Sequence, residues 1–439
     1  MKNTKNFASR WGFILASVGS AVGMANVWGF PNKLGSNGGG AFLLIYLLFV
    51  FIFSYVGLPA EFAMGRHAAT GTLGAYEKAW STRGKGAGKA GGLLGWLPLA
   101  GSLCIAFGYA VIVTYILKAL VDSLVGTLMT TDTASWFGTF SSTPYSVIPY
   151  HIIVVVGTLL TLYLGAHSIE KTNKIMMPLF FVLFCVLLVR VAMLPGAIDG
   201  YAYLFMPRWE ALANPQTWVL ALGQAFFGLS LAGGGTLVYG SYLKKDVNVV
   251  SSARNVVVFS TLAAVLSAMV VVPAVFAFGA DTQAGPPLLF IVLPQVFEEM
   301  PFGGLFCFVF FLAVACAAIT SLVNLYEPPI EALQQQARLP RWAAVAIVAA
   351  VSMGVGAFIE NGDAVSAWMD AVSIYAIPLG ALIAAVMFFW VCPKGFASKQ
   401  AQMGREKPVG AWFEFMGRYL FVPLTAIVII LGIVLGGIG

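Results

Sequence analysis

The sequence predicts an all-α membrane protein of eleven transmembrane helices, built as a five-plus-five inverted repeat in which helices 1 and 6 are broken. Three observations predict this. Of 439 residues, 59% are hydrophobic and 10% charged, with a mean hydropathy of +0.88, more apolar surface than a soluble domain of this length can hide. The apolar runs reach helix-spanning lengths and lack the alternation of barrel strands. Two runs, and only two, carry glycine clusters at their centres.

The expected spans are 11–34, 40–65, 93–121, 147–166, 172–194, 217–243, 251–279, 303–336, 341–358, 364–392 and 415–437, in one polytopic unit over 1–439. Repeat one covers 11–194, repeat two covers 217–392, and 415–437 is an extra helix. The first span is too long and too rich in glycine to read as a signal peptide, and another span follows it at once.

Orientation follows from Lys and Arg. With the N-terminus in the cytoplasm, all of them fall inside except Lys33, Lys118, Arg190 and Arg208. The loops 122–146 and 280–302 have none. This predicts an N-terminus in and a C-terminus out, at the plasma (inner) membrane. The net charge of +6 is thus a topology signal and does not point to nucleic acid.

Several function classes lose support on spacing. Cys104, Cys185, Cys307, Cys316 and Cys392 fall in separate spans and read as small buried apolar residues, not a disulfide set. His67, His151 and His167 lack metal-ligand spacing. In the loop 66–92, "STRGKGAGKAGG" fails as a phosphate loop: Arg83 stands where the first glycine belongs, and Ala90 follows Lys89 where a hydroxyl is needed. No nucleophile, base and metal cluster supports an enzyme.

The breaks carry the chemistry. Residues 19–40 read "GSAVGMANVWGFPNKLGSNGGG", and 223–242 read "GQAFFGLSLAGGGTLVYGSY". Non-helical backbone at membrane depth is tolerated only where protein buries it or a cavity is lined by it. There its N–H groups can hold an anion and its carbonyls a cation, aided by the half-helix dipoles. Interrupted helices at matching places in two halves point to a secondary transporter with its site between the breaks.

The stretches "GFILASVGSAVGMANVWGFP", "NGGGAFLLIYLLF", "AEFAMGR", "GQAFFGLSLAGGG", "ITSLVNLYEPP" and "IPLGALIAAVMFFW" together resemble the neurotransmitter:sodium symporter family in its bacterial eleven-helix form, over about residues 8–392. The resemblance implies sodium-coupled symport of an amino acid by alternating access. A chloride- or proton-assisted variant and a substrate-sensing receptor on the same fold stay open as alternatives.

It implies a second sodium site of Gly19, Val22 and Ala317 carbonyls with Thr320 and Ser321 hydroxyls. Five neutral oxygens suit a monovalent cation better than a divalent one. A first sodium site, degraded relative to the family pattern, falls on Ala21, Asn26, Gly228 and Ser260, so one or two ions are implied. Tyr46, Gln224 and Ser260 match positions lining the family's chloride site.

For the substrate, the implied residues are Ala21, Met24, Ala25, Ile105, Tyr109, Phe227, Ser230, Ala232, Gly233, Ser321, Leu322 and Leu325. Tyr109 would donate to a carboxylate and Phe227 would close over it. Gly23 stands where amine-only relatives carry aspartate, so the substrate brings its own carboxylate. Gly233 replaces a position that is often bulky, which points to a larger pocket and a large hydrophobic or aromatic amino acid.

The outer arginine position is Gly29, with Lys33 one turn on as a replacement partner for Asp370, or with no outer ion pair at all. Inside, Lys5 takes the arginine position, Gln335 that of its acid, and Tyr242 is the gate tyrosine. Glu61, an intramembrane acid, is expected to brace the helix 6 break, with proton carriage as the alternative.

Overall fold

The computed structural model describes residues 6–279 and 288–436. The order of spans follows the expected one. Helix α1 (Arg10–Ala21) starts where Ser9 Oγ accepts the Gly12 N–H at 2.9 Å, and stops where Val22 turns extended at φ −84°, ψ 100°. After a wide turn closed by the Phe30 N–H on the Ala25 carbonyl, α2 (Phe30–Ser36) continues at 58° to α1. Then come α3 (Gly40–Ala68), α4 (Trp96–Val125), α5 (Ile148–Leu162) and α6 (Ala166–Ala192).

The second half opens on α7 (Pro215–Gly228), capped by Asn214 with Pro215 in its first turn. Its partner α8 (Gly235–Ser241) follows a six-residue gap in which Ser230 (φ 56°) and Gly233 (φ 70°) are left-handed. The rest are α9 (Val249–Ala277), α10 (Gly303–Gln336), α11 (Arg341–Ile359), α12 (Gly362–Val391) and α13 (Trp412–Leu435).

Among the described residues, eight helices are long and apolar enough to cross a bilayer, and the bent α1–α2 pair makes nine. The other two expected spans are α5, with 15 residues, and the divided α7–α8 pair, with 14 and 7. Helix α5 and each piece of the divided pair fall short of the roughly 20 residues a straight span needs, so length alone does not count eleven.

Two groups of helices meet at the breaks. In one, α10 packs along α4 and α6; in the other, α3 packs on α7, α8 and α9, and α1 touches both. The α3–α8 seam is a backbone contact. A side chain at Gly65 would begin 2.0 Å from the Leu237 carbonyl, and one at Gly240 would begin 2.7 Å from that of Phe62. Phe51, Val189 and Val434 lie on the perimeter, each more than 60% exposed, as a lipid-facing surface requires. All five thiols are free, but Cys185 also sits on that perimeter and Cys104 is half-buried, which corrects the expectation of five buried residues.

Candidate functional site

The two breaks, with α4 and α10, enclose a cavity of about 480 Å³. Of the residues expected to hold substrate, Ala21, Met24, Ala25, Ile105, Tyr109, Phe227, Ser230, Ala232, Ser321 and Leu325 line it. Leu322 does not: it is fully buried, one step around α10 from Ser321. Gly233 does not either. A side chain there would begin 2.5 Å from the Gly380 carbonyl and 2.8 Å from Tyr76 Oη, so it points into α12 packing. The pocket enlarged at Gly233 is therefore corrected. The apolar wall comes instead from Ile105 and Ile377, with Phe227 and Leu325 against them.

Polar groups are few and converge. Tyr109 Oη accepts the Met24 N–H at 3.0 Å, which leaves the hydroxyl hydrogen free to face another acceptor. Gly23 makes this approach possible: a side chain there would begin 2.7 Å from Tyr109 Oη and 2.5 Å from Ser321 Oγ. Ser20 Oγ donates to Ser230 Oγ at 3.2 Å across the two breaks.

Ser321 Oγ lies 3.2 Å from the Gly19 carbonyl, 3.3 Å from that of Ser20 and 3.2 Å from that of Val22. One hydroxyl hydrogen serves these three oxygens, so lone pairs are left facing a common point. Thr320 Oγ1 sits beside them and donates back to the Ala317 carbonyl at 2.9 Å and that of Cys316 at 3.0 Å. The five expected ligands of the second ion are thus gathered from α1, the first break and α10.

The other ion position is partly assembled. Asn26 Nδ2 donates to Ser260 Oγ at 2.9 Å and to its carbonyl at 3.1 Å, while Ser260 Oγ donates to the Gly228 carbonyl at 2.5 Å. Asn26 Oδ1 is buried with no partner among the described residues and faces Gly228, where a side chain would begin 3.1 Å away. Tyr46 Oη approaches the same point, at 3.5 Å. Gln224 Nε2 donates to the Ala25 carbonyl at 2.6 Å.

Lys33 and Asp370 both line the upper cavity, but they do not pair. Lys33 Nζ donates to Gln224 Oε1 at 2.9 Å, and the four ion pairs among the described residues omit Asp370. The replacement outer pair is corrected accordingly. Lys5 lies outside the described residues. Glu61 Oε1 accepts the Gly233 N–H at 3.1 Å and its other oxygen accepts the Thr236 hydroxyl, which places it against the α7–α8 gap.

Tyr242 donates to the fully buried Glu327, which forms a two-point ion pair with the partly exposed Arg341 at 2.6 and 3.0 Å. The sequence reading missed this cluster. Its signal was available: Glu327 is a charge in an apolar span, the rule applied to Glu61 alone. Gln335 bonds Glu331, which also accepts the Gly71 N–H, so it belongs to a loop anchor. Glu170 was missed too; it accepts from Ala8 N–H at 2.7 Å, Ser9 Oγ at 2.8 Å and Lys174 at 2.6 Å.

The profile of the sodium:neurotransmitter symporter family matches residues 4–146 and 140–435. The chain belongs to that family. It is a multi-pass membrane protein and a sodium-coupled transporter of a small molecule, not an enzyme. Among relatives of this symporter, the "Uncharacterized sodium-dependent transporter YhdH" of Bacillus subtilis (strain 168) is 36% identical over 73% of this chain and 70% of its own length. The "Uncharacterized sodium-dependent transporter MJ1319" of Methanocaldococcus jannaschii is 29% identical, covering 97% and 89%. The crystal structure of MhsT in complex with L-phenylalanine superposes with a TM-score of 0.85 at 30% identity, covering 97% of this chain and 99% of that one.

Proposed function

We propose that this symporter carries an amino acid with a large apolar side chain, together with one or two sodium ions, by alternating access. The observation that carries the reading is the pairing of Tyr109 Oη with the Met24 N–H beside Gly23. That corner offers hydrogen-bond donors and no carboxylate, so it suits a ligand bearing its own negative charge. The wall of Ile105, Ile377, Phe227 and Leu325 suits an apolar side chain. The likeness to MhsT, whose structure holds L-phenylalanine, supports the same class.

Sodium at the Gly19, Val22, Ala317, Thr320 and Ser321 oxygens would tie the first break to α10. A second ion at Ala21, Asn26, Gly228 and Ser260 would be completed by the substrate carboxylate, and the unpartnered Asn26 Oδ1 favours it. Phe227 closes over the ligand. The group α1, α3, α7–α8 and α9 then rocks against the rest, and the Tyr242–Glu327–Arg341 cluster parts on the cytoplasmic side. The N-terminus is cytoplasmic and the C-terminus external, in the plasma (inner) membrane. Each ion moved through 100 mV contributes about 2.3 kcal/mol, roughly 50-fold accumulation.

Uptake of a labelled amino acid panel into proteoliposomes under an imposed sodium gradient tests this. Phenylalanine, tryptophan or leucine is expected to accumulate and glycine to lag. Saturable sodium-dependent binding without uptake would replace the reading with a receptor. Repeating the uptake in gluconate decides the chloride alternative.

A further inference from the structure

Asn173 lies on α6, outside every group assigned so far, and it is fully buried. Its Nδ2 donates to the Ile169 carbonyl one turn back at 2.8 Å. A carboxamide oxygen cannot make that bond, so the orientation of the amide is fixed. Asn173 Oδ1 then points the other way and has no partner among the described residues. A buried acceptor left unsatisfied is costly, and each one asks for an explanation.

The oxygen lies beside the second ion position. A side chain at Gly19 would begin 1.9 Å from Asn173 Oδ1 and 2.9 Å from Thr320 Cβ. The carboxamide therefore lies against the Cα of one proposed ligand and next to the side chain of another. It is a neutral oxygen, like the five already gathered there. Sodium accepts more than five oxygens readily, and a neutral amide adds a ligand without adding the charge that would favour a divalent ion.

We propose that Asn173 Oδ1 is an additional sodium-coordinating oxygen at this position, contributed by a third helix. The inference rests on the sodium reading of Gly19, Val22, Ala317, Thr320 and Ser321. Its consequence is that the ion contacts α6 as well as the first break and α10, so sodium occupancy bears on how α1 packs along α6.

The test measures the sodium dependence of radiolabelled substrate binding, and direct ²²Na⁺ binding, on purified full-length protein. Asn173→Ala is expected to raise the half-saturating sodium concentration by roughly three- to tenfold, the worth of one neutral polar contact. Asn173→Asp keeps an oxygen in place. It is expected to bind sodium at least as well as the parent at alkaline pH and to weaken as pH falls, because a proton then competes for the same oxygen. Equal weakening in both variants, with no new pH dependence, would mean that the side chain acts through packing and would overturn the proposal. So would two unchanged curves beside a shifted Thr320→Ala control. If Thr320→Ala also leaves sodium dependence unmoved, the sodium position itself is misassigned and the proposal falls with it.

Discussion

Removing the Tyr109 hydroxyl isolates the carboxylate-binding corner. In Tyr109→Phe, the substrate loses one charge-assisted hydrogen bond, worth about 1.5–3 kcal/mol. The loss is partly offset. Tyr109 Oη also accepts the Met24 N–H at 3.0 Å in a buried setting, so the variant leaves that N–H without an acceptor until a carboxylate arrives. The incoming anion regains up to about 1 kcal/mol by satisfying it. The net cost is about 0.5–2 kcal/mol, which raises the substrate dissociation constant roughly 2- to 30-fold. Equilibrium binding of labelled amino acid at saturating sodium reads this directly. Sodium binding without substrate should not change, because neither cluster of ion ligands includes the hydroxyl. A shift below twofold, or an equal loss for an amine lacking the carboxylate, would refute the argument.

Other outcomes follow from single contacts. Glu61→Gln keeps one acceptor oxygen for the Gly233 N–H and puts a donating NH2 where the Thr236 hydroxyl now donates, so about 1–2 kcal/mol of stability should go, seen as a lower melting temperature. Transport by that variant should keep the parent's pH dependence; a flattened pH profile would favour proton carriage. Glu327→Ala removes the carboxylate partner of Arg341, whose side chain is 19% exposed, and should destabilise by up to about 3 kcal/mol, with part of the loss recovered when Arg341 is also made neutral. Gly233→Ala combines a left-handed φ of 70° with a 2.5 Å approach to the Gly380 carbonyl, so it should lower the melting temperature while leaving the ranking of substrates intact.

The fold was legible because the bilayer makes helices compulsory and leaves glycine clusters conspicuous. Both interrupted spans stand out in "GSAVGMANVWGF" and "GLSLAGGG" for that reason. The site was legible in position and less so in direction. Gly233 sits in the second break as expected, yet its left-handed backbone turns the missing side chain toward α12, which no spacing rule could tell. Lys33 lies one turn past Gly29, but its ammonium reaches Gln224, 191 residues away in sequence. Glu327 and Arg341 straddle a loop, so helical spacing alone did not join them. Asn173 gave no signal at all, since an asparagine in a polar helix start is ordinary until its neighbours are known.

The glycine seam between α3 and α8 limits what any conformational cycle of this protein can look like. With carbonyls seated where Cβ atoms would be, those two rods are bolted together and travel as one piece. Because α3 also packs on α7, the pair must move with the group α1, α3, α7–α8 and α9, and any hinge must lie outside it.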